Sequence, residues 1–137
     1  MDAKVIWKGK MSFEGNAQSG FRVPLGTESM FGGDNDGFRP LELLGIGLAG
    51  CTAMDVISIL KKKKQAINSF EVLIHADRAS EHPKVFTHIT IEYVLKGDGI
   101  DKEAVERAVE LSKTKYCPAQ AMFSKIVPIE LKITLLN

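Results

Sequence analysis

The chain has 137 residues, 45% of them hydrophobic and 26% charged, with a formal net charge of +1 and two cysteines. That length suits one domain, 1–137, and the composition suits a folded, soluble protein. So even a charge balance excludes the strongly basic face that nucleic acid demands.

Apolar residues alternate at the start. Val5 and Trp7 share one side of a strand, Met11 and Phe13 precede a Glu14-Gly15-Asn16 turn, and Phe21 and Val23 resume the pattern. Residues 3–25 are therefore predicted as a meandering hairpin. The segment Phe31-Gly32-Gly33-Asp34-Asn35-Asp36-Gly37 carries the densest loop signal and ends at Arg39-Pro40, where Pro40 can open a helix at its first position.

The helix predicted from there, Pro40–Lys64, is the longest element. Its interior holds Gly45, Gly47 and Gly50. Each costs about 1 kcal/mol against Ala, so they point to close backbone approach by another element. The helix is apolar nearly all round as far as Leu60, which predicts burial on most faces. Glu42, Asp55 and several small polar residues interrupt the apolar run, and it is expected to fall short of a membrane span. Lys61-Lys62-Lys63-Lys64 complements the negative end of the helix dipole and reads as a solvated helix end rather than a nucleic-acid contact.

Two alternating stretches come next, Ser69–Ala79 with Phe70, Val72, Ile74 and Ala76 on one face, and Phe86–Lys96, joined through Ala79–Lys84 as a hairpin. Asp101 is placed to cap an amphipathic helix carrying Ala104, Val105, Ala108, Val109 and Leu111. A short helix after Pro118 leads to a last strand, Pro128–Leu136, with Ile129, Leu131, Ile133 and Leu135 on one side. This order of strands, long helix, hairpin, two helices and strand is α+β. One antiparallel sheet covers only one side of an apolar helix, so a homodimer with the long helices of two subunits packed together is predicted.

The candidate chemistry lies with Cys51 and Cys117. Cys51 sits inside the apolar run and reads as buried; Asp55 falls one turn on, about 40° round the helix. A carboxylate there disfavours a thiolate at Cys51 unless a hydroxyl or cation occupies it. Cys117 stands directly before Pro118 and reads as the N-cap of a short helix, where free N–H groups and the dipole favour a thiolate. His75, His82 and His88 lie in or beside the strands and read as ordinary strand and turn residues, so no metal and no cofactor is expected. The Gly32–Gly37 loop lacks the later bidentate glutamate of a calcium site, and neither a phosphate-cradling glycine loop nor a nucleophile elbow occurs. The N-terminal residues show no secretory pattern, so a cytoplasmic address without membrane attachment is expected, where paired cysteines are more often catalytic or redox-sensing than structural.

Four segments in order, Arg39-Pro40-Leu41-Glu42-Leu43-Leu44, Gly47–Val56, Glu81–Phe86 and Lys115-Tyr116-Cys117-Pro118, together resemble the OsmC/Ohr family of peroxide-handling proteins, and most nearly its YhfA-like branch. The resemblance spans essentially the whole chain. It implies an intertwined homodimer with antiparallel sheets wrapped around long central helices, and a metal-free thiol peroxidase acting on organic hydroperoxides. It implies further that Cys51 attacks the peroxide, that Cys117 condenses with the resulting sulfenic acid, and that a dithiol reductant, such as a lipoyl group, resets the disulfide. The active branch carries a glutamate directly after the helix-opening proline; that position is Leu41 here, with Glu42 one place later as the candidate supporting residue. The arginine that the family pairs with this glutamate has Arg22 and Arg39 as candidates. The rival expectation is a redox-sensing or apolar-ligand-binding module of the same fold without efficient turnover.

Overall fold

A computed structural model describes residues 1–136. The chain forms two compact units, Met1–Leu44 and Gly45–Asn137.

The first unit is a three-stranded antiparallel meander of β1 (Ala3–Gly9), β2 (Ser12–Ala17) and β3 (Arg22–Leu25). The predicted strands are present, but the turn is misplaced: Glu14, Gly15 and Asn16 lie inside β2, paired with Ile6, Val5 and Lys4 of β1. The reversals fall instead at Lys10, with φ of 47°, and at Gly20, with φ of 87°. Gly15 suits a strand interior here because a Cβ would sit 3.2 Å from the Val23 side chain on β3.

Helix α1 (Pro40–Lys62) starts in the first unit and runs on through the second. It stops two residues short of the sequence expectation, because Lys64 takes a left-handed conformation, φ 56°, and turns the chain toward β4. Within the chain α1 buries one stripe, Leu48, Thr52, Val56 and Leu60, at the i, i+4 spacing of a helix face. The expectation of burial on most faces is therefore not met by a single chain. By length and a mean hydropathy of 1.9, α1 does reach the range of a membrane-crossing helix, contrary to the sequence expectation, since Asp55 is one charge among many apolar neighbours. Its buried stripe is nonetheless packed into a protein core rather than left bare.

That core is formed by α1, α2 (Lys102–Leu111) and a sheet of β4 (Ile67–Arg78), β5 (Phe86–Gly97) and β6 (Ile129–Leu136) in the order β4-β5-β6. The alternation on β4 holds, with Phe70, Val72, Ile74 and Ala76 facing the core; Ile89, Ile91, Tyr93 and Leu95 of β5 are buried in it. The sheet is mixed rather than wholly antiparallel. β4 and β5 are an antiparallel hairpin, but β6 runs parallel to β5. The helices between β5 and β6 carry the chain back to the starting end, as a parallel pairing requires. Asp101 caps α2 as expected, its carboxylate accepting the Glu103 N–H at 3.0 Å. Between α2 and α3 (Pro118–Phe123) lies a π-helical turn over Ser112–Tyr116, for which the residue pattern carries no signal.

Candidate functional site

Pro118 at the first helical position leaves Cys117 as the N-cap of α3, and its sulfur accepts the Gln120 N–H at 3.3 Å. The Cys117 N–H donates in turn to the Ser112 carbonyl at 2.8 Å, the closing bond of the π-helical turn. Cys117 is thus fixed at both its nitrogen and its sulfur.

The two cysteines are brought together, but with their expected characters exchanged. Cys117 is the buried one, 3% exposed, and Cys51 on α1 is half-buried. Burial dominates at Cys117: it pushes the thiol up from 9.0 to about 11, against the hydrogen bond from Gln120 N–H, and the neighbouring Cys51 thiol raises it further by hydrogen bonding and by charge. The sequence expectation of an activated Cys117 is therefore corrected. The helix start is there, but a six-residue helix does not offset the loss of water.

Beside the pair lies a buried polar network that the sequence reading missed. Thr52, Tyr93 and Ser112 are fully buried and Gln120 is 2% exposed. The Thr52 hydroxyl lies 2.7 Å from the Tyr93 hydroxyl and 2.8 Å from Ser112 Oγ, and it accepts from Gln120 Nε2 at 3.0 Å. Gln120 Nε2 also reaches the Tyr93 hydroxyl at 3.3 Å, and Ser112 Oγ donates to Asp55 Oδ2 at 2.9 Å. Each hydroxyl has one proton to give. Ser112 gives its proton to Asp55, so Thr52 must donate to Ser112 and Tyr93 must donate to Thr52. The chain of donors runs one way, Tyr93 to Thr52 to Ser112 to Asp55, and among the described residues no buried side-chain polar atom is left unpaired. Burial holds the Tyr93 phenol above its ordinary range, against its hydrogen bonds to Thr52 and from Gln120. For Asp55 the occupied alternative is the one observed, with a serine hydroxyl as the occupant.

The signal for this network was present. Thr52 is a polar residue at the centre of the apolar stripe Leu48–Leu60, and Tyr93 brings a hydroxyl into an otherwise aliphatic strand face. Ser112 and Gln120 carried no such mark.

Glu42 serves the start of α1: Oε1 accepts the Arg39 N–H at 2.8 Å, as a capping box does. Arg39 donates to Glu28 at 3.3 Å and to the Gly37 carbonyl at 2.8 Å, and Arg22 pairs with Glu14 at 3.8 Å. Of the histidines, His75 meets Asp77 at 3.0 Å and His88 meets Glu130 at 3.8 Å, both on the exposed side of the sheet, while His82 precedes Pro83 in the hairpin link. Among the described residues no three His, Cys, Asp or Glu side chains converge as metal ligands do.

A family model described as OsmC-like protein matches residues 33–132. Protein YhfA of Escherichia coli (strain K12) is 36% identical over 129 residues, covering 94% of this chain and 93% of the relative. The crystal structure of a hypothetical protein from Aquifex aeolicus VF5 is similar over 98% of this chain and 95% of that one, with 27% identity and a TM-score of 0.85. The structure of an organic hydroperoxide resistance protein OsmC from Legionella pneumophila shares the fold over 97% and 95% of the two chains, with 16% identity and a TM-score of 0.68.

Proposed function

The chain belongs to the OsmC-like protein family, and from that premise we propose that it is a cytoplasmic thiol peroxidase that reduces organic hydroperoxides with Cys51 and Cys117. The observation that carries this reading is the pairing itself: a half-buried thiol on α1 that neighbours a buried, fixed thiol at the start of α3. It is supported by fold relatives that carry the name of organic hydroperoxide resistance proteins.

The exposures divide the labour. Cys51 is the sulfur a peroxide can reach. Its thiolate attacks the terminal peroxide oxygen; the O–O bond breaks, the alcohol leaves with a proton, and Cys51 becomes a sulfenic acid. Cys117 keeps its proton until the second step. Its sulfur then displaces hydroxide from the sulfenic acid, the proton leaves with it as water, and the disulfide forms. A dithiol returns two electrons and two protons to restore both thiols.

A second reading, redox sensing or apolar-ligand binding without efficient turnover, is favoured by Leu41 at the family glutamate position and by the engagement of Glu42 in the α1 cap. An open cleft of about 530 Å³ beside Asp55, with Met54, Ile59 and Leu111 in its walls, offers an apolar ligand a place.

One equivalent of cumene hydroperoxide, with free thiols counted and intact mass read together, separates the two. The peroxidase reading expects both thiols to disappear within seconds, the mass to fall by two hydrogens, and a dithiol to reverse the change; Cys51→Ser abolishes it. Persistence of both thiols under excess peroxide moves the assignment to the second reading.

A further inference from the structure

Both groups that fix Cys117 belong to residues whose side chains end on Thr52. Ser112 holds the Cys117 N–H through its carbonyl, and its hydroxyl accepts from Thr52. Gln120 holds the Cys117 sulfur through its N–H, and its side-chain amide donates to Thr52. Thr52 comes directly after Cys51 on α1. Its hydroxyl thus stands at the one point where the backbone carrying one sulfur is tied to both clamps on the other.

Nothing else in that tie is free to slide. The π-helical turn sets Ser112 five residues before Cys117, and the same serine is anchored to Asp55, one turn beyond Cys51 on α1. The Tyr93 hydroxyl on β5 closes the network from the sheet side. Rotating Thr52 away leaves the buried Ser112, Gln120 and Tyr93 short of a partner, so one arrangement is strongly selected.

We propose that Thr52 is the positioning residue of the cysteine pair, its hydroxyl registering α1 against the Cys117 clamp so that the two sulfurs stand ready to close a disulfide. The inference rests on the assignment of Cys51 and Cys117 as a pair, but not on the oxidant that closes them. The hydrogen bonds of the Thr52 hydroxyl go to Tyr93, Ser112 and Gln120, so it acts on the pair through Ser112 and Gln120.

The test uses a glutathione redox buffer in place of peroxide. Glutathione disulfide takes two electrons and two protons from the two thiols, giving the protein disulfide and two glutathione molecules, and the equilibrium reports the effective concentration of one thiol at the other. Thr52→Val and Gln120→Met, each checked for folding by urea titration, are expected to lower that effective concentration about tenfold or more, as loss of a buried hydrogen-bond partner does. Thr52→Ser, which keeps the hydroxyl, is expected to stay within about twofold of the parent. If Thr52→Val does not fold, Tyr93→Phe removes a single oxygen from the same hub and is expected to show the same direction. Unchanged effective concentrations in the folded variants overturn the proposal, as does a Thr52→Ser protein as impaired as Thr52→Val. So does a parent protein that closes no disulfide in glutathione. A parent that closes the disulfide readily yet turns over no hydroperoxide sinks the peroxidase reading and leaves the positioning role standing.

Discussion

Cys117 shows two effects of opposite sign on one sulfur. The N–H of Gln120 at 3.3 Å favours the thiolate, while removal from water disfavours it. Burial wins, and the folded thiol titrates near 11, against 9.0 for the free group. Between those values the unfolded chain has released a proton that the folded chain still holds, so folding stability is fully present below pH 9 and falls as pH rises toward 11. The loss amounts to on the order of 2 kcal/mol. Urea unfolding of the reduced protein from pH 7.5 upward should show it, and Cys117→Ala should flatten the alkaline slope by that amount while the contribution of the raised Tyr93 phenol remains. A Cys117→Ala slope equal to the parent's would mean that the folded thiol is not held up by burial.

Among the elements, α2 has a start that is capped from its own sequence. Asp101 accepts the Glu103 N–H, and its own N–H donates to Gln65 Oε1 at 2.8 Å, so Asp101→Ala should cost about 1 kcal/mol in urea unfolding, while Asp101→Asn or Asp101→Ser should recover most of it. A loss below a few tenths would show that packing of Ala104, Val105, Ala108 and Val109 alone holds the helix start. Such elements were legible because their determinants are local: an Asp three residues before the first core residue, a Pro at the first turn of α1 and α3, and period-two alternation on β4 and β6. The features that stayed hidden depend on distant partners. The parallel pairing of β6 with β5 results from where the intervening helices deliver the chain. The burial of Cys117 depends on what packs over α3, which the Cys-Pro dipeptide does not encode. The site was readable as two cysteines, and unreadable as the hydroxyl network that holds them, since Ser112 lies sixty residues from Thr52 and meets it only in the folded chain.

For the molecule as a whole, the central physical question is what covers the remaining faces of α1. Ile46 is 53% and Met54 74% exposed in the single chain, on a helix whose composition suits burial. Gly47 and Gly50 make the point more sharply: a Cβ at either would meet nothing within 4 Å. In an isolated chain, alanine at each would improve the helix by about 1 kcal/mol with no clash. Two such glycines on an open apolar surface make physical sense where a second backbone comes close. A second copy of α1 supplies the same apolar surface and the same glycines, and two-fold pairing closes the contact without leaving a new open face. We therefore expect the protein to sediment as a homodimer. Ile46→Asp should yield folded monomers, because a carboxylate in an apolar contact has no partner. Gly47→Ala separates the alternatives by sign: in a close-packed dimer it raises the dissociation constant, whereas in a monomer it raises the urea midpoint and changes nothing else. A parent protein that sediments at the single-chain mass, or a Gly47→Ala dimer as tight as the parent's, would remove the second copy as the cover for α1.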